Sequence, residues 1–458
     1  MSESHKNIEN DLKRRDFLKF GSAAGLVSAL GGRSSAAYAQ NALKNPPVEF
    51  TVPKIDPVRI GYVGVGGMGS AHVRNLLNID HVEIRAVCDI VPEKVLKIQN
   101  QVEEANQKRP EGYSRGEYDF KRLCDRNDLD LVYTATPWEW HVPVCVAAME
   151  AGKHAATEVP AAVTLEECWQ LVETSERTKR YCIMMENCCY DRAELMILNL
   201  VRKGMLGELI HAECGYLHDL CSVKFDFEAK SEALWRTAHS IKRNGNLYPT
   251  HGLGPIAQYM NINRGDQFDY LVSMSSKSMG MNLYAAEKFG PDSKWAKQKY
   301  ALGDVNVSMI RTMNGRTINV VHDCSLPRPY TRINMIQGTK GIARKWPDKI
   351  HIEGRSPEHE WEPLEDYRAE YDHPLWKALN EVSAGAGHGG MDYIEDYRLV
   401  KCLREGKPLD MDVYDAAAWS AVSELSEISV ANRSKTMDFP DFTRGAWKTR
   451  EPLGIVTG

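Results

Sequence analysis

The chain has 458 residues, 43% hydrophobic and 26% charged, enough for two or three domains with substantial cores. Its formal net charge is −5 and its 57 Lys and Arg residues are scattered, which excludes the clustered basic footprint of a nucleic-acid or anionic-membrane binder. Eleven cysteines at unrelated spacings, with no CxxC pair and only Cys188 and Cys189 adjacent, form neither a disulfide framework nor a zinc site.

Residues 12–19 read Leu-Lys-Arg-Arg-Asp-Phe-Leu-Lys, followed by a weakly apolar stretch from Phe20 to Gly32 and the small-x-small signal Ala37-Tyr38-Ala39. This is the layout of a twin-arginine export peptide. An amphipathic first helix is the alternative, against which Gly21, Gly25, Gly31 and Gly32 argue. The apolar run is too short for a membrane span, so none is expected after processing. The export machinery is an expected partner, and a periplasmic or secreted location follows. Because this route carries folded proteins, reduced core thiols and a cofactor loaded inside the cell are both compatible with export. Removal of residues 1–39, with six basic and four acidic side chains, moves the net charge from −5 to −7.

After a linker at 40–56, residues 58–69 read as an apolar strand running into Gly64-x-Gly66-x-x-Gly69, followed by a helical stretch from Ser70 to Leu77. The glycines allow a tight turn and close approach of a pyrophosphate to the helix N-terminus. A second apolar strand, Val82 to Val87, ends at Cys88-Asp89, twenty residues after Gly69. A carboxylate there accepts hydrogen bonds from a ribose and repels a 2′-phosphate, which selects NAD over NADP. Strands expected at Leu129–Ala135 and His154–Val159, with helices after Trp138 and near Thr164, continue the alternation of a parallel doubly wound sheet. Short runs in which Tyr, Trp and Met alternate with polar residues between 216 and 330 suit an antiparallel sheet with one face on a cleft. A large face of this kind is also compatible with a homo-oligomer. The expected fold is thus α/β, a Rossmann domain at 57–190 and an α+β substrate domain with an open, mostly antiparallel sheet at 191–390. Helices within 391–458, at Met391–Glu405 and Tyr414–Asn432, return against the rest.

Taken together, these features resemble the oxidoreductase-like family of glucose-fructose oxidoreductase and inositol dehydrogenase. Its Glu-Lys-Pro segment stands here as Glu158-Val159-Pro160. The missing lysine removes a titratable group that simple alcohol oxidation uses. Three longer strings, Thr136-Pro137-Trp138-Glu139-Trp140-His141, Met185-Glu186-Asn187-Cys188-Cys189-Tyr190 and Tyr248-Pro249-Thr250-His251-Gly252-Leu253-Gly254-Pro255, resemble the NAD-dependent α-N-acetylgalactosaminidases of glycosyl hydrolase family 109. The resemblance implies NAD contacts at Gly64, Gly66, Met68, Gly69, Asp89, Trp138, Glu139, Trp140, His141, Glu158, Val159, Asn187 and Tyr248. It implies contacts with a glycoside or glycan terminus at Tyr216, Arg236, Tyr248, Pro249, Thr250, His251 and Tyr330. It also implies tightly bound NAD that oxidises the sugar at C3, allows elimination and water addition, and reduces C3 again.

His251 is the expected acid/base, with Tyr216 or Tyr248 sharing or orienting the proton. Pro249 suits the start of a helix from about Thr250 to Met260, whose positive end favours the neutral, basic imidazole. His388, set among Gly385, Gly387, Gly389 and Gly390, can approach a ligand closely and is expected to complete the sugar pocket. No metal is expected: there is no HExxH, and His239, His251 and His322 are isolated in the sequence. Two rivals are an NAD-dependent sugar oxidoreductase of the same fold and a non-catalytic exported sugar-binding protein.

Overall fold

Six short strands, β1 (Val58–Val63), β2 (Val82–Cys88), β3 (Glu111–Tyr113), β4 (Leu131–Thr134), β5 (His154–Thr157) and β6 (Cys182–Met184), form a sheet in the order β3-β2-β1-β4-β5-β6. Every pair in it is parallel. This computed structural model describes residues 50–227 and 234–457, so the expected export peptide and the linker up to residue 49 lie outside the described residues. Parallel strands require crossovers, and the helices Gly67–Leu77, Pro92–Glu104, His141–Glu150 and Leu165–Thr178 supply them. The last is started by a capping box between Thr164 and Glu167. Strand order reverses between β1 and β4, which opens a ligand crevice at the carboxyl ends of both. The first helix begins at Gly67 rather than Ser70, because its opening turn is built from the motif's own glycines.

The second sheet has nine strands: β7 (Leu209–Leu217), β8 (Phe268–Ser275), β9 (Val305–Thr312), β10 (Thr317–Asp323), β11 (Met335–Gly338), β12 (Gly341–Arg344), β13 (Lys349–Ile352), β14 (Glu362–Pro363) and β15 (Met437–Asp438). Their order is β14-β13-β12-β11-β7-β10-β9-β8-β15, and only β7–β10 is parallel. In β9, Asn306, Ser308, Ile310 and Thr312 are buried while Val307 and Met309 are exposed, the period-two pattern of a sheet covered on one face.

The C-terminal helices tie the two sheets together. Met391–Glu405 packs on Gly67–Leu77, Val413–Ser420 on Leu165–Thr178, and Val422–Ala431 on β8. The stretch expected as one element from Tyr414 to Asn432 is two helices meeting at Ala421. On β8 the contact is polar, with the Ser273 amide donating to Ser429 Oγ at 2.9 Å.

All eleven cysteines are free and buried. Burial keeps thiols protonated and inert. Native protein is therefore expected to leave Ellman's reagent unreacted, with all eleven thiols appearing after guanidinium. Several fast-reacting thiols in the native state would contradict this packing.

Candidate active site

β1 leads directly into Gly64, whose φ of +80° favours glycine, and a Cβ there would lie 2.8 Å from the Thr136 amide nitrogen. The turn is thus pressed against the end of β4. A Cβ on Gly69 would lie 2.0 Å from Gly64 O, so the helix can seat against the strand only with glycine at this position. Gly66 faces the other way: its Cβ would meet only Lys94 Nζ, at 3.6 Å. The first amides of the helix therefore open onto free space, as a pyrophosphate cradle requires. Asp89, at the end of β2, is aimed by the Val65 and Val91 amides, which donate to it at 3.0 and 2.9 Å. Gly66, Met68 and Gly69 with Asp89 are the residues that would hold a dinucleotide, and their geometry fits one.

Across the crevice, Glu158 is gripped by a buried relay. His72, on the glycine-rich helix, places Nε2 2.7 Å from Glu158 Oε1 and Nδ1 2.9 Å from Asp396 Oδ2 on the helix Met391–Glu405. Burial lowers the affinity of His72 for a proton, but the Asp396 and Glu158 carboxylates outweigh it and raise the ring well above its usual range. Val159, in the position of the family's lysine, is buried and has no proton to exchange. Asn187 donates to Asp392 Oδ1 at 2.7 Å. His141 has its ring nitrogens 2.7 and 2.8 Å from the Pro160 and Thr136 carbonyl oxygens, so its side chain holds the two loops together. Glu139 lies 3.5 Å from His239 Nε2. The Trp140 ring packs edge-on against Tyr118 and Phe120, whereas Trp138 turns inward, stacked on Tyr248 with ring centroids 5.4 Å apart.

The helix Thr250–Tyr259 starts after Pro249 as expected, and it lies against β7 and the turn Asn187–Tyr190. Thr250, its first residue, is fully buried. The packing brings the His251 ring to 5.2 Å from Tyr216 and 4.9 Å from Tyr248, with the two phenol rings 4.7 Å apart. Glu186, fully buried, puts Oε1 2.6 Å from His251 Nδ1. A carboxylate only accepts, so Nδ1 carries the proton and Nε2 is left as the acceptor. Burial pushes the Glu186 carboxyl up, but the His251 ring, aided by Thr250 and Cys188, holds it below the usual range. The negative carboxylate and the positive helix end thus meet at one imidazole. Nothing in the spacing of the sequence links Glu186 to His251, 65 positions away, so the role of Glu186 emerges only in the fold.

Burial raises the phenols of Tyr216, Tyr248 and Tyr330, so all three remain protonated. Tyr216 OH lies 3.1 Å from His218 Nδ1. Tyr330 OH accepts from Arg332 Nη1 at 2.8 Å, and Arg332 is itself anchored by Glu194 Oε1 at 2.9 Å. The Arg236 guanidinium covers the faces of Trp235, Trp138 and Tyr248.

Donor atoms of Glu186, Cys188 and His251 lie within 4.8 Å of one another, a convergence that the isolated position of His251 in the sequence does not announce. The three are joined by hydrogen bonds, with Cys188 Sγ 3.2 Å from His251 Nδ1, and burial keeps the thiol protonated. His388 lies beside Asn187, with Nδ1 3.4 Å from the Asn187 side-chain nitrogen. It lines a second cleft of about 280 Å³ with Asp191 and Lys345, and its Nδ1 lies 2.8 Å from Asp392 Oδ2.

Residues 58–186 match the model of the oxidoreductase family with NAD-binding Rossmann fold, and residues 190–449 match the glycosyl hydrolase 109 C-terminal domain. A glycosyl hydrolase family 109 protein of Shewanella pealeana is 49% identical over 453 residues, covering 97% of this chain and 99% of its own. Another from Shewanella sp. strain MR-4 is 47% identical over 458 residues, covering 98% and 99%. Among solved structures, a levoglucosan dehydrogenase complex with NADH and levoglucosan superposes with TM-score 0.66 at 20% identity, over 84% of this chain and 100% of that one. A scyllo-inositol dehydrogenase from Lactobacillus casei with NAD(H) and scyllo-inositol gives 0.59 at 14% identity, over 83% and 98%. At such identities the likeness speaks for the fold alone. The N-terminal half is an NAD-binding Rossmann domain, and since the match to the family 109 relatives runs through both halves nearly end to end, the chain belongs to glycosyl hydrolase family 109.

Proposed function

We propose that this protein is an exported, NAD-dependent glycosidase acting on α-N-acetylgalactosaminides or their glycan termini. The observation that carries the reading is the His251 imidazole, with Nδ1 committed to Glu186 and Nε2 left to act between two protonated tyrosines beside the NAD domain. When bound, NAD supplies reversible hydride exchange with the sugar C3 carbinol, which makes the C2 hydrogen acidic. His251 Nε2 takes that proton, and Glu186 stabilises the imidazolium that results. Tyr216 and Tyr248, kept protonated by burial, donate hydrogen bonds to the sugar oxygens and stabilise the negative charge that develops there. Trp138 and Tyr248 stack on one another beside the Arg236 guanidinium, which fixes the Tyr248 phenol, and Tyr330 is held in place by Arg332. The substrate class comes from the resemblance of the Tyr248–Pro255 and Met185–Tyr190 strings, and export from the Lys13-Arg14-Arg15 segment with its Ala37-Tyr38-Ala39 signal.

A sugar oxidoreductase is the second reading, favoured by the likeness of the fold to dehydrogenases solved with sugars and NADH. One experiment separates them. The cofactor-loaded protein, with no NAD added, is given p-nitrophenyl α-N-acetylgalactosaminide in D2O. Nitrophenol release with deuterium at sugar C2 is the expected result. Release with the C2 hydrogen retained sinks the elimination, and net NADH formation without nitrophenol establishes the oxidoreductase.

A further inference from the structure

The turn Asn187–Tyr190, which carries Cys188 to His251, runs straight on into Asp191, and Asp191 lines the second cleft, of about 280 Å³. Arg332 ties that cleft to the sugar site. One of its nitrogens donates to the Tyr330 hydroxyl at 2.8 Å and another to Asp191 Oδ2 at 3.2 Å, so the phenol expected to touch the sugar and the edge of the cleft are a single guanidinium apart. Trp346, just after β12, stands at the same junction. Its ring packs edge-on against Tyr330 with centroids 5.8 Å apart, and the ammonium of Lys345, which lines the cleft, lies 4.6 Å from its centroid. Its φ of +59° is a left-handed conformation that bulky side chains rarely adopt and that collects at ligand clamps.

The lining of the cleft says what it can hold. Its floor is apolar, made by Met196, Leu364, Trp376 and Met391, all buried. Four cations line it, and each already faces a carboxylate: Arg192 with Asp372 at 2.6 Å, Lys345 with Asp191, Arg368 with Glu365, and His388 with Asp392 at 2.8 Å. A charged ligand must break one of these pairs to form another. The hydroxyls of a neutral ligand need break none, because a guanidinium fork and a carboxylate keep donor and acceptor positions beyond those used in a pair. A neutral polyol with an apolar face is the ligand that meets both the floor and the rim. The volume lies just below the roughly 300–1,000 Å³ of clefts that hold drug-sized ligands, on the scale of a single sugar residue.

We infer that the second cleft is an aglycone subsite, which takes the neutral sugar to which the N-acetylgalactosaminyl group is linked, so that a glycan terminus is preferred over a simple glycoside. The inference rests on the glycosidase reading for the sugar that occupies the first site. Arg332 then serves both subsites, holding Tyr330 on one side and Asp191 on the other.

The test measures binding by titration calorimetry on protein loaded with NADH, so that no oxidant is present at the sugar C3 and neither ligand turns over. Methyl α-N-acetylgalactosaminide is compared with the disaccharide N-acetylgalactosaminyl-α-(1→3)-galactose. The disaccharide is expected to bind about ten-fold more tightly or better. Ala193, half-buried on the helix Arg192–Arg202, lines the cleft, and Ala193→Trp is expected to fill the cleft and erase that preference while the methyl glycoside binds as before. Should Ala193→Trp fail to fold, Arg368→Ala, which removes an exposed guanidinium from the rim, is expected to weaken the disaccharide alone. Equal affinity for the two ligands overturns the proposal, as does a preference that survives both substitutions. Because binding is read without turnover, failure of nitrophenol release removes only the glycosidase reading, whereas nitrophenol release with equal affinities removes only the aglycone subsite.

Discussion

His251→Ala is expected to lower kcat/KM for nitrophenyl glycoside cleavage by about 10²–10⁴-fold, the usual range for a positioned acid/base. The bound NAD should be retained, because the cradle at Gly66, Met68, Gly69 and Asp89 is untouched. Glu186→Gln tests the same site more sharply. Glutamine is nearly isosteric with glutamate, but its amide can donate to Nδ1. The ring then accepts there, the proton moves to Nε2, and the base faces the sugar in its blocked tautomer. A fall in kcat of about 10²-fold or more is expected, with sugar affinity little changed. Glu186→Asp should recover part of the activity, since the carboxylate remains and only its reach shortens. A Glu186→Gln enzyme with full kcat would mean that His251 is held by something else, and a His251→Ala enzyme with full kcat would pass the role of base to a tyrosine.

Gly252→Ala is expected to damage both stability and activity. A Cβ at Gly252 would lie 2.4 Å from the Gly215 nitrogen and 2.6 Å from its oxygen, so the helix Thr250–Tyr259 rides directly on the backbone of β7. Backbone cannot rotate aside as a side chain can. The helix must lift by roughly 1 Å, an overpacking that costs about 1–3 kcal/mol. The lift separates His251, on the helix, from Tyr216, next to Gly215 on the strand, and a displacement of about 1 Å at a reacting pair costs about 10²-fold in rate. Thermal unfolding and kcat measured on one preparation check both effects. Gly67→Ala is the control for stability, because nothing lies within 4 Å of its added Cβ. Unchanged kcat in a destabilised Gly252→Ala protein would show that the His251–Tyr216 spacing is not rate-determining.

The sequence by itself determined the features whose cause is local. The apolar strand, the glycine turn and Asp89 at the end of the next strand announce the first sheet, because each answers to the backbone or side-chain chemistry of its own neighbours. The start of the helix at Pro249–Thr250 and the helix Met391–Glu405 were legible in the same way, from the fixed φ of proline and from apolar periodicity. Residues that act on one another across the chain were not. Glu186 and His251 are 65 positions apart and His72 and Asp396 are 324 apart, and each pair meets only because a helix settles on a particular strand or helix. His322 and Tyr216 share a face because β10 runs parallel beside β7 in an otherwise antiparallel sheet, and periodicity along a strand does not encode which strand will be its neighbour. His388 was legible as a candidate from its glycine-rich setting, but its partners Asp392 and Asn187 were not, because the buried groups that hold such a side chain are brought to it only by the tertiary structure.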